Sequence, residues 1–373
     1  MKNQAIKLTA LSRVFALIIF SLLSVACLDE IDLAQGAALP DGIVVQGRLN
    51  ADVETGSADV QVRLERLFQF ENSNRPDQVV TATLTLENSD GQTLSLPFRD
   101  GAYRATVASG DASFQIAPGV GYRLRVQTRE GEEYLSAFDV LPPPLQAESA
   151  GASIGLTTVD DLNGNPSQEL AIFYDITAPV RYSDGSPTFL RWTLEQTYKV
   201  TDTPQVGPNR DNPPKPCYVS ISFESDELFL FNSLEQSGDR VENFPLAFQL
   251  ADFRYAEGNV MTIIQEAISR DAYEYFNQVN QIATRDASLF EPPGGPVVGN
   301  VIDVNGTTAN VFGFFYAANR TVARVAVSPE DAMNPNLFCP LLRSPSPFPQ
   351  PNSCDDCESL SGSEIVKPDF FPF

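Results

Sequence analysis

The chain predicts a mainly β protein, with an N-terminal immunoglobulin-like β-sandwich followed by a larger β-rich domain that contains at least one helix. Short segments such as Leu84-Thr85-Leu86 and Tyr122-Arg123-Leu124-Arg125-Val126 alternate apolar with polar residues, the period of two expected of half-buried strands. Asp90-Gly91 and Asp100-Gly101 fall between neighbouring segments as hairpin turns. Seven such segments occupy about 100 residues, which is the strand density of an immunoglobulin-like sandwich.

Ahead of the first strand, Lys2, Lys7 and Arg13 precede an apolar run from Val14 to Val25 that ends at Ala26-Cys27. Basic, then apolar, then a small residue before cysteine is the order of an export signal, here predicted for residues 1–26. The run of about a dozen residues is too short for a membrane-spanning helix, which needs about 20. A cysteine directly after the cleavage point predicts a lipoprotein, with Cys27 carrying the lipid and Ala26 meeting the small-residue requirement. Ser24 stands where leucine is more usual, and a plain secreted protein with an incidental Cys27 is the alternative. Residues 27–41 then form an acidic tether, with Asp29, Glu30 and Asp32 close behind the lipid site. These acids resemble the export tag of Bacteroidetes surface lipoproteins; a solvated linker is the plainer reading.

The expected strands of the first domain, residues 42–141, are Ile43 to Leu49, Val60 to Leu67, Val80 to Leu86, Thr93 to Phe98, Tyr103 to Val107, Tyr122 to Val126 and Tyr134 to Val140. Leu141-Pro142-Pro143-Pro144 is a stiff connector, since each ring locks φ and removes a ladder donor, and it marks the expected domain boundary. In residues 142–373 the strand candidates are Leu170 to Tyr174, Phe189 to Tyr198, Tyr218 to Phe223, Leu246 to Phe253, Val260 to Ala267, Val311 to Tyr316 and Thr321 to Val327. A helix interrupts them, with Asp271 as cap, Glu274 reaching back, and an apolar stripe of Ala272, Tyr275 or Phe276, Val279 and Ile282 or Ala283. Segments 201–216 and 340–356, rich in Pro, Asn and Ser, read as loops.

Composition excludes several chemistries. The formal charge is −23, and it becomes −26 for the 347 residues left once the three cations of the signal are removed. Such a surface repels phosphate, so neither nucleic acid nor an anionic membrane surface is an expected partner by charge, and membrane attachment falls to the N-terminal lipid. The chain has no histidine, which removes His-dependent hydrolases and His-ligated zinc or haem sites. Paired carboxylates remain available among 48 acids. No cofactor motif is present, and no catalytic residue is singled out.

Four cysteines follow the tether: Cys217, Cys339, Cys354 and Cys357. An even number outside the cytoplasm favours disulfides; a four-thiolate zinc site is the competing reading, with one C-x-x-C and two isolated ligands. Three pairings are open, and the favoured one joins each of Cys354 and Cys357 to one of the distant pair, which would staple the tail to the domain. Asp161, Asn163 and Asn165 alternate as in the first half of a calcium loop, but Pro166 and Ile172 replace the Gly and Glu that such a loop needs, so an Asx-rich turn is the alternative. The densest aromatic groups are Tyr273 to Phe276 and Phe312 to Tyr316. Tyr273, Tyr275, Phe314 and Tyr316 are the candidate ligand contacts, and core filling is the plainer role for them. Glu291-Pro-Pro-Gly-Gly-Pro296 is either a rigid binding loop or a turn.

Together these residues resemble the Bacteroidetes lipoprotein family described as domain of unknown function 4249. The resemblance rests on the lipid cysteine followed by acids, Ile43-Val-Val-Gln-Gly47, Leu141-Pro-Pro-Pro144, Pro216-Cys-Tyr218 and Ile268-Ser-Arg-Asp-Ala-Tyr-Glu-Tyr275. It continues through Leu289-Phe-Glu-Pro292, Gly299-Asn300, Phe312-Gly-Phe-Phe315, Cys354-Asp-Asp-Cys357 and Lys367-Pro-Asp-Phe370. Phe314 replaces a more usual tyrosine and Phe371 a terminal tryptophan, so both positions stay aromatic. The resemblance implies an outer-membrane lipoprotein facing the cell exterior, which accompanies a TonB-dependent outer-membrane receptor as a ligand-capture or lid subunit without catalytic residues. The alternatives are an envelope scaffold or adhesin without a small ligand and, third, a carboxylate-based glycan hydrolase.

Overall fold

Period-two alternation in the sequence becomes three β-sheets in the computed structural model, which describes residues 42–67, 77–108, 110–160, 164–204, 212–223, 228–284, 297–306, 310–339 and 352–373. The first strands are β1 (Gly42–Asp52), β2 (Ser57–Arg66), β3 (Thr83–Asn88), β4 (Thr93–Leu96), β5 (Phe98–Arg99), β6 (Ala102–Ala108), β7 (Gly121–Gln127), β8 (Glu133–Ser136) and β9 (Asp139–Val140). Next come β10 (Ser149–Asp160), β11 (Pro166–Pro179), β12 (Phe189–Thr201), β13 (Pro216–Ser222), β14 (Phe229–Asn232), β15 (Arg240–Leu250) and β16 (Asn259–Ala267). Helix α1 (Arg270–Ala283) precedes β17 (Val301–Asp303), β18 (Asn310–Val327) and β19 (Ser363–Glu364). The protein is mainly β, as its alternation predicts.

The largest sheet has ten strands, ordered β19-β13-β12-β16-β18-β1-β2-β6-β5, with β14 beside β12. Strand β18 is the seam. Its first half pairs in parallel with β1, from Gly42 opposite Asn310 to Asp52 opposite Arg320, and its second half pairs antiparallel with β16. Val311 to Tyr316 and Thr321 to Val327, expected as two strands, are therefore one strand of 18 residues. The polar residues Asn319 and Arg320 do not break it, because both are used across the ladder: Arg320 pairs with Asp52 at 3.1 Å, and Asn319 donates to Pro142 O.

One face of this sheet carries both smaller sheets. Phe315 and Ala317 of β18 join Val45, Val62, Leu86 and Tyr122 in a core under the six-stranded sheet β17-β8-β7-β3-β4, where β9 also pairs β7. Further along the same face, Ala323 and Val325 meet Trp192, Ile263, Tyr174 and Ile176 under the three-stranded sheet β10-β11-β15. Odd-numbered residues of β18 thus serve two cores in succession, because strand side chains alternate between faces. Each fully buried aromatic or branched side chain in these cores contributes about 1.5–3 kcal/mol relative to exposure.

Residues 42–141 and 142–373, expected as two domains, share this one sheet within a single compact unit. The Leu141–Pro144 connector does not stand clear as a spacer. Leu141 and Leu145 are buried, and Leu145 O accepts from Gln265 Nε2 at 2.6 Å and from Thr321 Oγ1 at 3.0 Å. Hydrogen bonds from β16 and β18 hold its carbonyls against the shared sheet.

Three local expectations are corrected. Ser269, not Asp271, caps α1: its Oγ accepts from Ala272 N at 3.1 Å, while Glu274 turns outward to Arg270 at 2.8 Å. Strand β10, rich in Gly, Ser and Thr, escapes the alternation test because only its partner β11 places a continuous apolar row in the core. Within the expected loop 340–356, residues 340–351 lie outside the described residues, and Asn352–Asp355 forms one helical turn. Disulfides Cys217–Cys357 and Cys339–Cys354 tie the tail to β13 and to the segment after β18. Cys357 is thereby fixed beside Asp202, whose Oδ1 accepts from Lys215 N at 2.8 Å.

Candidate functional site

Among the described residues, no other sheet covers the second face of the large sheet. Alternation places Gln46, Arg48, Asn50 and Asp52 of β1 on that face, opposite Val45 and Leu49 in the core. Pairing then sets side chains in rows. Arg104 on β6 lies opposite Gln61 on β2, Gln61 opposite Arg48, and Arg48 opposite Tyr316 on β18. The next row runs Thr106, Asp59, Asn50 and Ala318. Arg63 lies opposite Gln46, which in turn faces Phe314. With strands about 4.8 Å apart, Arg104 and Arg48 stand about 10 Å apart across the sheet, and Arg63 lies on the diagonal between them.

Two contiguous hollows occupy this face, sharing Arg48 and Gln61. One, of about 450 Å³, is lined by polar residues including Asn50, Asp59, Arg104 and Glu195. The other, of about 390 Å³, reaches from Arg63 and Arg48 to the wall formed by α1. Each lies within the usual size range of small-molecule sites.

Helix α1 supplies that wall because its apolar stripe meets the even-numbered residues of β18. Tyr275 stacks on Phe314, with centroids 4.6 Å apart and planes at 25°, and Phe276 meets Tyr316 edge-on at 5.1 Å. Tyr273 points elsewhere: it is 9% exposed and contacts Phe189 in the core at 5.6 Å. Of the four aromatic residues singled out from sequence, Tyr275, Phe314 and Tyr316 line the groove and Tyr273 does not. Asp161, Asn163 and the 291–296 loop lie outside the described residues, as does Cys27, and Asn165 sits in the turn before β11, away from the groove linings.

A buried polar cluster supports the junction of the two hollows. Glu266, 2% exposed, accepts from Arg191 Nη1 and Asn50 Nδ2, each at 2.9 Å, and from the Tyr316 hydroxyl at 3.4 Å. Arg191 also donates to the Tyr316 hydroxyl at 2.9 Å and lies over the Phe276 ring at 4.6 Å. Burial, then the charge of Glu266, pushes the Tyr316 phenol up, so it stays a neutral donor. The cluster therefore cross-links β12, β16, β1, β18 and α1 through one carboxylate.

Asp139 holds the other end of α1. Its Oδ2 accepts from Ala317 N at 2.7 Å, and it also bonds Ser269, the residue that caps the helix. Burial pushes its carboxyl up to about 6, against the hydrogen bonds from Ser269 and Ala317. Two further contacts explain motifs singled out above. Asn300 pairs with Phe315 as a strand would, donating to its carbonyl at 2.7 Å and accepting from its N–H at 2.9 Å. Gly313 has φ 101°, and a Cβ there would sit 1.9 Å from Val45 O, so glycine alone permits β1 and β18 to close.

Gly313 and Asn300, both in quoted motifs, here set the backbone that carries the groove, and the matched family segment contains them. Residues 32–324 match the family model described as Domain of unknown function (DUF4249). The chain belongs to that family. The family match spans α1 and every groove-lining strand except the last three residues of β18, and it ends before Cys339, Cys354 and Cys357. A comparison with curated proteins found no match.

The arginines and amides of this DUF4249 groove were not singled out from sequence, because Gln46-Gly-Arg48 and Gln61-Val-Arg63 read as the solvent side of ordinary strands. One signal was present: Glu266 lies in Asn259–Ala267, a strand whose every residue is buried. A carboxylate in so apolar a segment requires a partner network.

Proposed function

We propose that the protein is a lipoprotein of the outer-membrane surface, tethered through Cys27, that captures a ligand in the groove and serves as an accessory or lid subunit of a TonB-dependent receptor. The observation that carries this reading is the groove itself: a sheet face with an aromatic wall on one side and, on its floor, the guanidinium groups of Arg48, Arg63 and Arg104, which make no ion pair with a described residue. Of the carboxylates that line the groove, Glu266 and Asp52 are engaged by Arg191 and Arg320, and Asp59 accepts from Thr106 Oγ1 at 2.7 Å. Among the described residues no helix is long and apolar enough to cross a membrane, and the attachment proposed is the lipid on Cys27.

The test is a pull-down from solubilised native outer membrane through a tag after Phe373. Co-purification of a TonB-dependent receptor is the expected result, and a chain recovered alone refutes the accessory role. In parallel, Cys27→Ser is expected to move the protein out of the membrane fraction. An adhesin is the reading favoured by one feature, the exposed apolar side chains Ile154, Leu156 and Leu170 on the β10–β11 hairpin. Adhesion abolished by Leu156→Ser, with no receptor recovered, would select it.

A further inference from the structure

Arg48, Arg63 and Arg104 stand around Gln61 on one sheet face, and none makes an ion pair with a described residue. Elsewhere Arg66, Arg123, Arg125, Arg191, Arg254 and Arg320 are engaged by carboxylates, while Arg99, Arg129, Arg181 and Arg324 make no ion pair with a described residue but stand singly instead of in a cluster. With 48 acids against 25 Lys and Arg, an acidic partner for each would be easy to supply. Three like charges within about 10 Å instead repel one another. Apart from the hydrogen bond from Arg48 to Gln61 at 3.0 Å, that arrangement gains little in the isolated chain and favours an incoming anion.

The rest of the lining narrows its chemistry. Between the guanidiniums lie amides and a hydroxyl, from Gln46, Gln61, Asn50 and Thr106, which both donate and accept, while Asp59, engaged by Thr106 Oγ1, and Glu195 share the polar hollow with Arg48 and Arg104. Asn50, part of that lining, leaves Oδ1 without a partner. Tyr275, half-buried on Phe314, adds a flat apolar surface at the end of the row. Hydroxyl-reading amides, carboxylate-reading guanidiniums and a ring platform match an acidic saccharide. An extended peptide would more readily add to a strand edge than lie across a sheet face. The charge of the whole chain opposes polyphosphate and polyuronate alike, so it is the hydroxyl-reading amides set between the guanidiniums that favour a saccharide.

We infer that the groove binds a carboxylate-bearing saccharide chain, its carboxylates on Arg48, Arg63 and Arg104 and a sugar ring against Tyr275. This rests on the ligand-capture reading above and names its ligand class. Guanidinium pairs carboxylates and tetrahedral oxyanions alike through two parallel hydrogen bonds, so the comparison with dextran sulfate is the arm that separates uronates from sulfated sugars.

The experiment is affinity electrophoresis and calorimetry of the full chain in detergent against polygalacturonate, dextran sulfate and neutral dextran. Polygalacturonate is expected to bind best and dextran not at all. Arg48→Gln, Arg63→Gln and Arg104→Gln should each weaken binding about tenfold, the loss of one charged hydrogen-bonding partner. All three side chains are exposed, so the variants should melt like the wild type. Equal affinity of the triple variant and the wild type overturns the inference, as does binding of dextran as tight as that of polygalacturonate. Dextran sulfate binding as tightly as polygalacturonate overturns the assignment to carboxylates. Receptor co-purification that persists without saccharide binding refutes the ligand class and leaves the transport reading standing; saccharide binding without a receptor does the reverse.

Discussion

Asp139→Asn tests how the wall of the groove is held. The carboxyl is 4% exposed and sits between Ala317 N and the helix cap Ser269, and burial lifts its pKa from 3.8 to about 6. A folded pKa above the unfolded one means that the folded chain keeps its proton longer. The associated stability is complete below about pH 4 and is lost as pH rises through about 6. Two pH units correspond to about 3 kcal/mol. Asparagine keeps one oxygen for the Ala317 N–H, cannot ionise, and forfeits about 1 kcal/mol of hydrogen bonding at every pH. The wild type should therefore lose about 3 kcal/mol relative to the variant between pH 4 and 6, with no further change to pH 8. Other groups run in the opposite direction, such as Glu132, which a hydrogen bond from Arg66 holds below the usual carboxylate range. They are common to both proteins and cancel in the difference. Urea unfolding followed by the single tryptophan, Trp192, itself 1% exposed, reads the quantity directly. A difference that stays constant from pH 4 to 8, or that grows in favour of the wild type as pH rises, refutes the reasoning.

Gly313→Ala is expected to cost about 4 kcal/mol or more, because a Cβ at positive φ would meet Val45 O across the β1–β18 seam; a urea midpoint near wild type contradicts this. Replacing Cys217 and Cys357 together by alanine opens a link across 140 residues and should cost about 5 kcal/mol, against about 3 for the pair Cys339 and Cys354, which spans 15. The reverse order in oxidised protein would show that tail packing, not chain entropy, dominates. Arg191→Met strands Glu266 as a buried charge and should destabilise by about 3–5 kcal/mol, most of it recovered in the double variant with Glu266→Gln. Equal losses in the single and double variants would mean that Arg191 acts through Phe276 instead.

The amino-acid order determined what depends on near neighbours. The strand alternation from Ile43 to Val140 is local, because a half-buried strand must place apolar residues at every second position. The same holds for the Asp90-Gly91 and Asp100-Gly101 turns: Gly91 and Gly101 adopt positive φ, and so does Asp100. Belonging to the family was also legible, through motifs whose roles are backbone constraints at Gly313 and Asn300.

Tertiary structure alone decided how distant strands share a sheet. Parallel pairing of β1 with β18 joins residues more than 250 positions apart, and no periodicity announces it. That pairing turns Leu141–Pro144 from a boundary into a crossing anchored by the buried Leu141 and Pro142, with Pro143 and Pro144 exposed. It also assembles the groove, whose guanidiniums come from three different strands. Each arginine is unremarkable in its own strand; its meaning comes from the neighbours across the ladder, which only the register supplies.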